Sequence, residues 1–267
     1  MKKHINPIVE SVQDRFKTVQ SMTEMFVTSD SVMRGLLIHG NAGMGKTHFV
    51  KQAFIKTETT DRVQYVKGSS ITAPALYVLM YLNREKGDVL VLDDVDIIHK
   101  SSGEVSTILD LFKGATEPTK GERLIGWQRA TANKLMVDNN VPMEFDFQGS
   151  IVWITNDSTE EIAKKAKGHW TAISSRFRQV PIWLNEQEKL MYTLHLIEEH
   201  NMLGEDCEAK DGGFAEEVIE DTIAYIHKNY RAMNDVTPRV AISIADTRHT
   251  FPNDWQMYCD NQLISNF

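Results

Sequence analysis

Gly35-Leu36-Leu37-Ile38-His39-Gly40-Asn41-Ala42-Gly43-Met44-Gly45-Lys46-Thr47 is the stretch that decides the fold. Gly35 to His39 is a short apolar run closed by glycine, the pattern of a strand buried on both faces. Gly40-Asn41-Ala42-Gly43-Met44-Gly45-Lys46-Thr47 then fits GxxxxGK[ST] in full. Thr47 to Phe54 predicts a helix with Phe49, Val50, Ala53 and Phe54 turned inward. A glycine-rich turn in that setting lets successive backbone N–H groups converge on phosphate oxygens, and the helix N-terminus adds the positive end of its dipole. Lys46 is then expected to reach the β- and γ-phosphates, and the Thr47 hydroxyl to ligate Mg²⁺.

Outward from that stretch, strands and helices alternate. Residues 1–30 predict an amphipathic helical segment on Ile8, Val9, Val12, Phe16 and Val19. Val63 to Val66 is a second strand and Ala73 to Leu82 a second helix. Asp88 to Asp93 and Ser150 to Thr155 are two further strands, apolar on both faces. Gln179 to Leu184 is a weaker fifth strand, and Pro181 puts it at a strand end or sheet edge. The alternation predicts a parallel sheet with helices on both faces. Asp93 and Asp94 close the third strand, 47 residues after Lys46. A carboxylate at such a strand end holds Mg²⁺ and its neighbour orients and activates the attacking water, so Asp93 joins Thr47 on the metal and Asp94 takes the water. Asp96 is assigned to helix capping.

After Leu184 the strand signals stop. Asn185-Glu186-Gln187-Glu188 is a capping box opening a helix on Leu190, Leu194 and Ile197. An acidic loop follows from Gly204 to Gly213, then a helix on Val218, Ile219, Ile223 and Ile226. Thr237-Pro238 is an N-cap followed by an N1 proline. The expected organisation is an N-terminal helical segment (1–30), a nucleotide-binding α/β domain (31–184) and a small all-helical domain (185–267).

Charge follows the same division. Residues 1–181 carry 23 basic and 21 acidic side chains, a net of +2, whereas residues 182–267 carry 6 and 16, a net of −10. The overall charge of −8 excludes a protein coated with non-specific nucleic-acid affinity, but it leaves room for a local basic channel in the first part. A chain of 267 residues with 42% apolar content is ordinary for a globular protein, and this excludes disorder or a repeat array as the main architecture. No run approaches the ~18 apolar residues of a membrane helix, and no apolar stretch follows the basic N-terminus. Two cysteines, Cys207 and Cys259, are too few for a disulfide framework. A cytoplasmic protein with no membrane partner is expected.

With these motifs placed, the chain resembles the AAA+ family of ring-forming P-loop ATPases, from about Gly35 through the C-terminal helices. The resemblance implies an α/β fold: a three-layer P-loop NTPase domain with a five-stranded parallel sheet, followed by a helical lid domain. It also implies ATP with Mg²⁺ as ligand and ATP hydrolysis as activity. Ile151-Val152-Trp153-Ile154-Thr155-Asn156 looks like the family's sensor 1 strand, so Asn156 would help position the water. Ser174-Ser175-Arg176-Phe177 looks like the arginine-finger box that reaches a neighbouring subunit's nucleotide, on Arg176 or, failing that, Arg178. Thr237-Pro238-Arg239 is similar to sensor 2, which sets Arg239 over the γ-phosphate of its own subunit. The family's usual acidic strand ends Asp-Glu. Here it ends Asp93-Asp94, one methylene shorter, which leaves open slow hydrolysis or a nucleotide-gated switch.

The resemblance extends to AAA+ ATPases encoded by bacteriophages, for which host cytoplasm is the implied location, and it implies a homo-oligomer, a hexameric ring. Lys113, Lys120, Arg123, Trp127, Arg129 and Lys134 lie between the acidic strand and the sensor 1 strand, a region that faces the central channel in such rings. A basic, Trp-containing insert there would suit single- or double-stranded DNA through phosphate contacts and stacking; the alternative is a solvated loop with a core tryptophan. The expected task is remodelling or loading on nucleic acid, of the replication or recombination type, with DNA or a replication protein as partner. A protein remodeller or unfoldase, with Tyr65-Val66-Lys67-Gly68 as pore-loop candidate, and an ATP-binding assembly scaffold with slow hydrolysis are the alternatives.

Overall fold

The computed structural model describes residues 6–28, 31–68, 70–119, 121–127 and 133–264. They fall into two compact units, one of residues 15–40 and 46–182, the other of residues 6–14, 41–45 and 183–264.

The first unit is built on a parallel five-stranded sheet. Its strands are β1 (Gly35–Gly40), β2 (Val63–Lys67), β3 (Val89–Asp93), β6 (Ser150–Thr155) and β7 (Phe177–Ile182), in the order β2-β3-β6-β1-β7. The three central strands β1, β3 and β6 are buried at every residue, which is why each is an unbroken apolar run rather than an alternation. The two edge strands are less covered, and Pro181 lies on the edge strand β7, paired with His39 of β1. β7 begins at Phe177, two residues earlier than the sequence predicts; the Phe177 ring belongs to the core and lies 5.6 Å from the Phe112 ring in a tilted arrangement. Helices α2 (Lys46–Lys56), α3 (Ala73–Leu82), α4 (Ser102–Ala115), α6 (Thr159–Ala166) and α7 (Trp170–Arg176) connect these strands. Helix α1 (Pro7–Thr28) precedes the sheet and buries Val9, Val12, Phe16 and Val19 at the predicted spacing.

Between α4 and β6 the chain forms a small hairpin, β4 (Leu124–Gly126) with β5 (Glu144–Asp146), and a short helix α5 (Lys134–Asp138). Among the described residues of this segment, several of the predicted channel groups are taken up by the fold itself. Trp127 is buried in the main core with its ring 5.3 Å from Tyr77. Arg123 is buried and donates to the carbonyls of Glu117 and Val32 at 2.7 and 2.8 Å. Lys113 pairs with Asp110 one helical turn away at 2.8 Å. Lys134 opens α5 and is exposed, while Lys120 and Arg129 lie outside the described residues. The tryptophan is thus a core residue, and stacking on a base is not open to it. Tyr65 is not a pore-loop residue either, since it lies within β2 with its hydroxyl buried.

The second unit is helical: α8 (Glu186–Glu199), α9 (Glu216–Asn229), α10 (Pro238–Thr250) and α11 (Trp255–Leu263). Its core joins Leu194, Ile197, Val218, Ile226, Ile244 and Trp255. The Asn185–Glu188 capping box forms on both sides, and the Thr237 side chain caps α10 from its N-cap position. Both cysteines are buried, free thiols.

Candidate functional site

Strand register brings the site of the first unit together. Asp93 pairs with Ile154 across β3 and β6, and His39 with Thr155 across β1 and β6, so three strands end side by side. The residues just beyond those ends are the predicted ones. Lys46, the first residue of α2, is buried, and its ammonium donates to the Gly40 carbonyl at 2.9 Å and to Asn156 Oδ1 at 2.8 Å. The Thr47 hydroxyl donates to Asp93 Oδ1 at 2.8 Å. Asn156 in turn donates from Nδ2 to Asp94 Oδ1 at 2.9 Å. One side-chain amide thus links the lysine of the glycine-rich loop to the second carboxylate of the acidic strand. Asp93 is buried and Asp94 exposed. Asp94, just past the end of β3, adopts the left-handed φ of +51°.

The loop itself depends on glycine for two reasons. At Gly40 a Cβ would sit 2.0 Å from the Ile182 carbonyl oxygen, so the close approach of β1 to β7 leaves no room for a side chain. Gly43 has φ +71°, which L-residues adopt at a cost. In the second unit, which includes residues 41–45, a Cβ at Gly43 would lie 3.2 Å from Thr237 Oγ1 and 3.4 Å from Arg239 Cβ. The start of α10 with Arg239 therefore lies against the loop. Asn41 Oδ1 also accepts from the Leu184 N–H at 2.6 Å.

The donor set suits Mg²⁺. A hydroxyl and a carboxylate already within 2.8 Å of each other are hard oxygen ligands. Among the described residues no group of three or more His, Cys, Asp or Glu is arranged to hold a metal. Two protein oxygens completed by phosphates and water is the arrangement Mg²⁺ favours.

Several residues around the site carry no sequence motif. His39 is buried at the end of β1, and burial, reinforced by the Lys46 charge and opposed by Glu160, lowers its pKa. His99 Nε2 meets Asp157 Oδ1 at 2.9 Å, and Asp157 Oδ2 accepts from Thr155 Oγ1 at 2.7 Å, which braces the turn that carries Asn156. Asp96 accepts from the His99 N–H at 3.0 Å. Only the adjacency of Asp157 to Asn156 hints at this brace in the sequence.

The two remaining arginines of the α7–β7 region are separate from that hydrogen-bonded chain. Arg176 ends α7 and pairs with Glu117 at 2.7 Å. Arg178 lies on β7 with a buried Nε that has no hydrogen-bond partner.

No family model matches the chain. It is 28% identical over 249 residues to an uncharacterised 36.7 kDa protein of Enterobacteria phage T4 from the nrdC–mobD intergenic region, covering 92% of this chain and 72% of that one. It is 25% identical over 130 residues to the chromosomal replication initiator protein DnaA of Mycoplasma capricolum, 42% of this chain but only 29% of that protein. Among solved structures, the Aeropyrum pernix ORC2 protein in ADPNP and ADP complexes superposes with a TM-score of 0.52 at 11% identity, over 100% of this chain and 72% of that one. The chain accordingly shares the fold of that protein, an α/β domain on a five-stranded parallel sheet with helices at the C-terminus. No described helix is long and apolar enough to cross a membrane.

Proposed function

We propose that this AAA+ fold binds and hydrolyses Mg-ATP as a ring of identical copies and couples turnover to loading or remodelling on nucleic acid. The observation that carries the reading is the chain of hydrogen bonds Gly40–Lys46–Asn156–Asp94, with Thr47–Asp93 beside it. A chance glycine-rich turn would not converge with two acidic residues and an amide from two other strand ends.

Each residue then has a defined part. Loop residues 40–45 wrap the phosphates with backbone N–H groups, and the Lys46 ammonium neutralises their charge. Mg²⁺ on Thr47 and Asp93 would offset the negative charge of the β- and γ-phosphates. Asp94 accepts a proton from the attacking water, and Asn156 fixes the orientation of that carboxylate. Arg239, beside Gly43, contacts the γ-phosphate, and Arg176 is lent to the neighbouring copy, where a planar fork suits the charge developing in phosphoryl transfer.

Nucleic acid is preferred as the object of the work because DnaA, a chromosomal replication initiator, is among the relatives. The buried Arg123 and Trp127 withdraw the support that a basic insert would have given. A second reading, a nucleotide-gated switch that turns over rarely, is favoured by the shorter Asp94 at its left-handed bend. Steady-state ATPase assays of the full chain with single-stranded DNA, double-stranded DNA or an unfolded protein separate these readings. Stimulation by DNA is expected. Stimulation by unfolded protein alone overturns the nucleic-acid reading, and binding with negligible turnover under every condition supports the switch. Light scattering with a non-hydrolysable ATP analogue tests the ring, which a persistent monomer would exclude.

A further inference from the structure

We propose that Glu117 is a positioning residue: it aims Arg176 so that two guanidinium N–H groups are presented side by side to a phosphate-class anion held by a second copy of the chain. This rests on the reading of Arg176 as the arginine lent across the ring.

The geometry around the guanidinium carries the inference. Nε and Nη2 of Arg176 both donate to the same oxygen, Glu117 Oε2, at 3.3 and 2.7 Å. Nη1 donates back to the Ala172 carbonyl of its own helix at 3.2 Å. A guanidinium has five N–H groups, and three are thereby committed. One N–H on each terminal nitrogen remains, without a partner among the described residues. Two donors of that kind on one rigid plane form a fork for a carboxylate or phosphate. The arginine side chain is about one-quarter exposed, at 26%, so an incoming anion can reach it.

Glu117 is itself held in place from several sides. Its other oxygen, Oε1, accepts from the Thr119 hydroxyl at 3.0 Å, and its backbone carbonyl accepts from Arg123 Nε at 2.7 Å. Arg123, buried, is tied by Nη2 to the Val32 carbonyl at 2.8 Å. The route runs from the buried Arg123 to the loop after α4, then to the carboxylate and on to the arginine. A long, flexible side chain at the end of a helix thus arrives with its rotamer set, which is the preorganisation that charge stabilisation in a transition state requires. The hydrogen bond from Arg176 holds the Glu117 carboxyl below the usual carboxylate range.

Steady-state ATPase kinetics of the assembled full chain test this with four variants: Glu117→Ala, Glu117→Gln, Arg176→Ala and the double variant. Glu117→Ala is expected to lower kcat about tenfold with KM for ATP unchanged within about twofold. Its melting temperature is expected to match that of the parent. Glu117→Gln keeps an acceptor oxygen and is expected to recover most of the rate. In the Arg176→Ala background, Glu117→Ala is expected to change the residual rate by less than about twofold, because the group it acts through is gone. The proposal is overturned if Glu117→Ala leaves kcat unchanged, raises it, or lowers the residual rate of Arg176→Ala by the same factor. If Arg176→Ala itself turns over at the parent rate, the trans-arginine reading fails, and the Glu117 proposal fails with it. A slow Arg176→Ala beside a normal Glu117→Ala removes the Glu117 proposal alone.

Discussion

Lys46 at the start of α2 and Arg123 in the segment between α4 and β6 are both buried cations, and both donate to backbone carbonyls. Their roles differ because of what surrounds them. Around Lys46 a glycine-rich loop, a helix N-terminus, two acidic residues and an amide converge from three strand ends. Around Arg123 the acceptors are two backbone carbonyls, of Glu117 and Val32, and Trp127 further along the segment is packed into the core on Tyr77. Burial of a positive charge therefore does not by itself mark a phosphate site. The phosphate-site proposal for Lys46 rests instead on the convergence of unlike oxygen and nitrogen groups from separate elements.

The sharpest way to break that contrast is Lys46→Ala. It removes the ammonium at the centre of the loop, and ATP affinity measured by fluorescence titration is expected to fall about 100-fold or more. Unchanged affinity would make Lys46 a scaffold cation like Arg123. Asp94→Asn is expected next: nucleotide binding retained, and turnover lowered about 10²- to 10³-fold in a steady-state assay. Retained turnover would assign the water to another group.

On the other side of the contrast, Trp127→Ala is expected to destabilise the fold by about 3–5 kcal/mol in urea titrations, the range for emptying a buried aromatic site. It is expected to leave the salt dependence of any DNA binding unchanged. If it weakened DNA binding without loss of stability, the segment would be a nucleic-acid surface after all.

The smallest effect expected is the pH dependence from His39. Its folded pKa lies below its unfolded value of about 6.5, so protonation favours the unfolded chain. That contribution to stability is complete above the unfolded value and is lost as the pH falls through 6.5 toward the lowered folded value. Denaturant midpoints measured from pH 8 to 5 are expected to fall over that window, and His39→Gln is expected to flatten the decline.

What could be read from the chain itself follows the same physical division. The central strands were legible because a strand covered on both faces has to be apolar throughout, and Val89 to Leu92 and Ile151 to Ile154 are. Ala73–Leu82 was legible as a helix between two strands, and the structure adds its Thr72 N-cap. Lys46, Thr47, Asp93 and Asn156 were legible because motif and strand end coincide. The β4–β5 hairpin was not, since three-residue strands such as Leu124–Gly126 offer too short a period to register. Helix α11 was missed for a related reason: its Trp255 and Cys259 are buried, while Met257 and Tyr258 on the same helix are exposed. Glu117, an isolated acid in a loop, has no local signature at all. Its meaning comes from Arg176, which lies 59 residues away in the chain.

The left-handed backbone at Asp94 bears on its choice of side chain. Aspartate and asparagine tolerate φ near +50° better than most residues, because their short polar side chains can bond locally. A glutamate at the same bend would extend the carboxylate by one carbon but would occupy a conformation it adopts less readily. Under the proposed role of Asp94, chain geometry and reach toward a water molecule are therefore set against each other at this one residue. If the proposed hydrolysis is made faster by Asp94→Glu, the bend itself has to relax, and the gain in rate is expected to accompany a measurable change in the local stability of the β3 terminus.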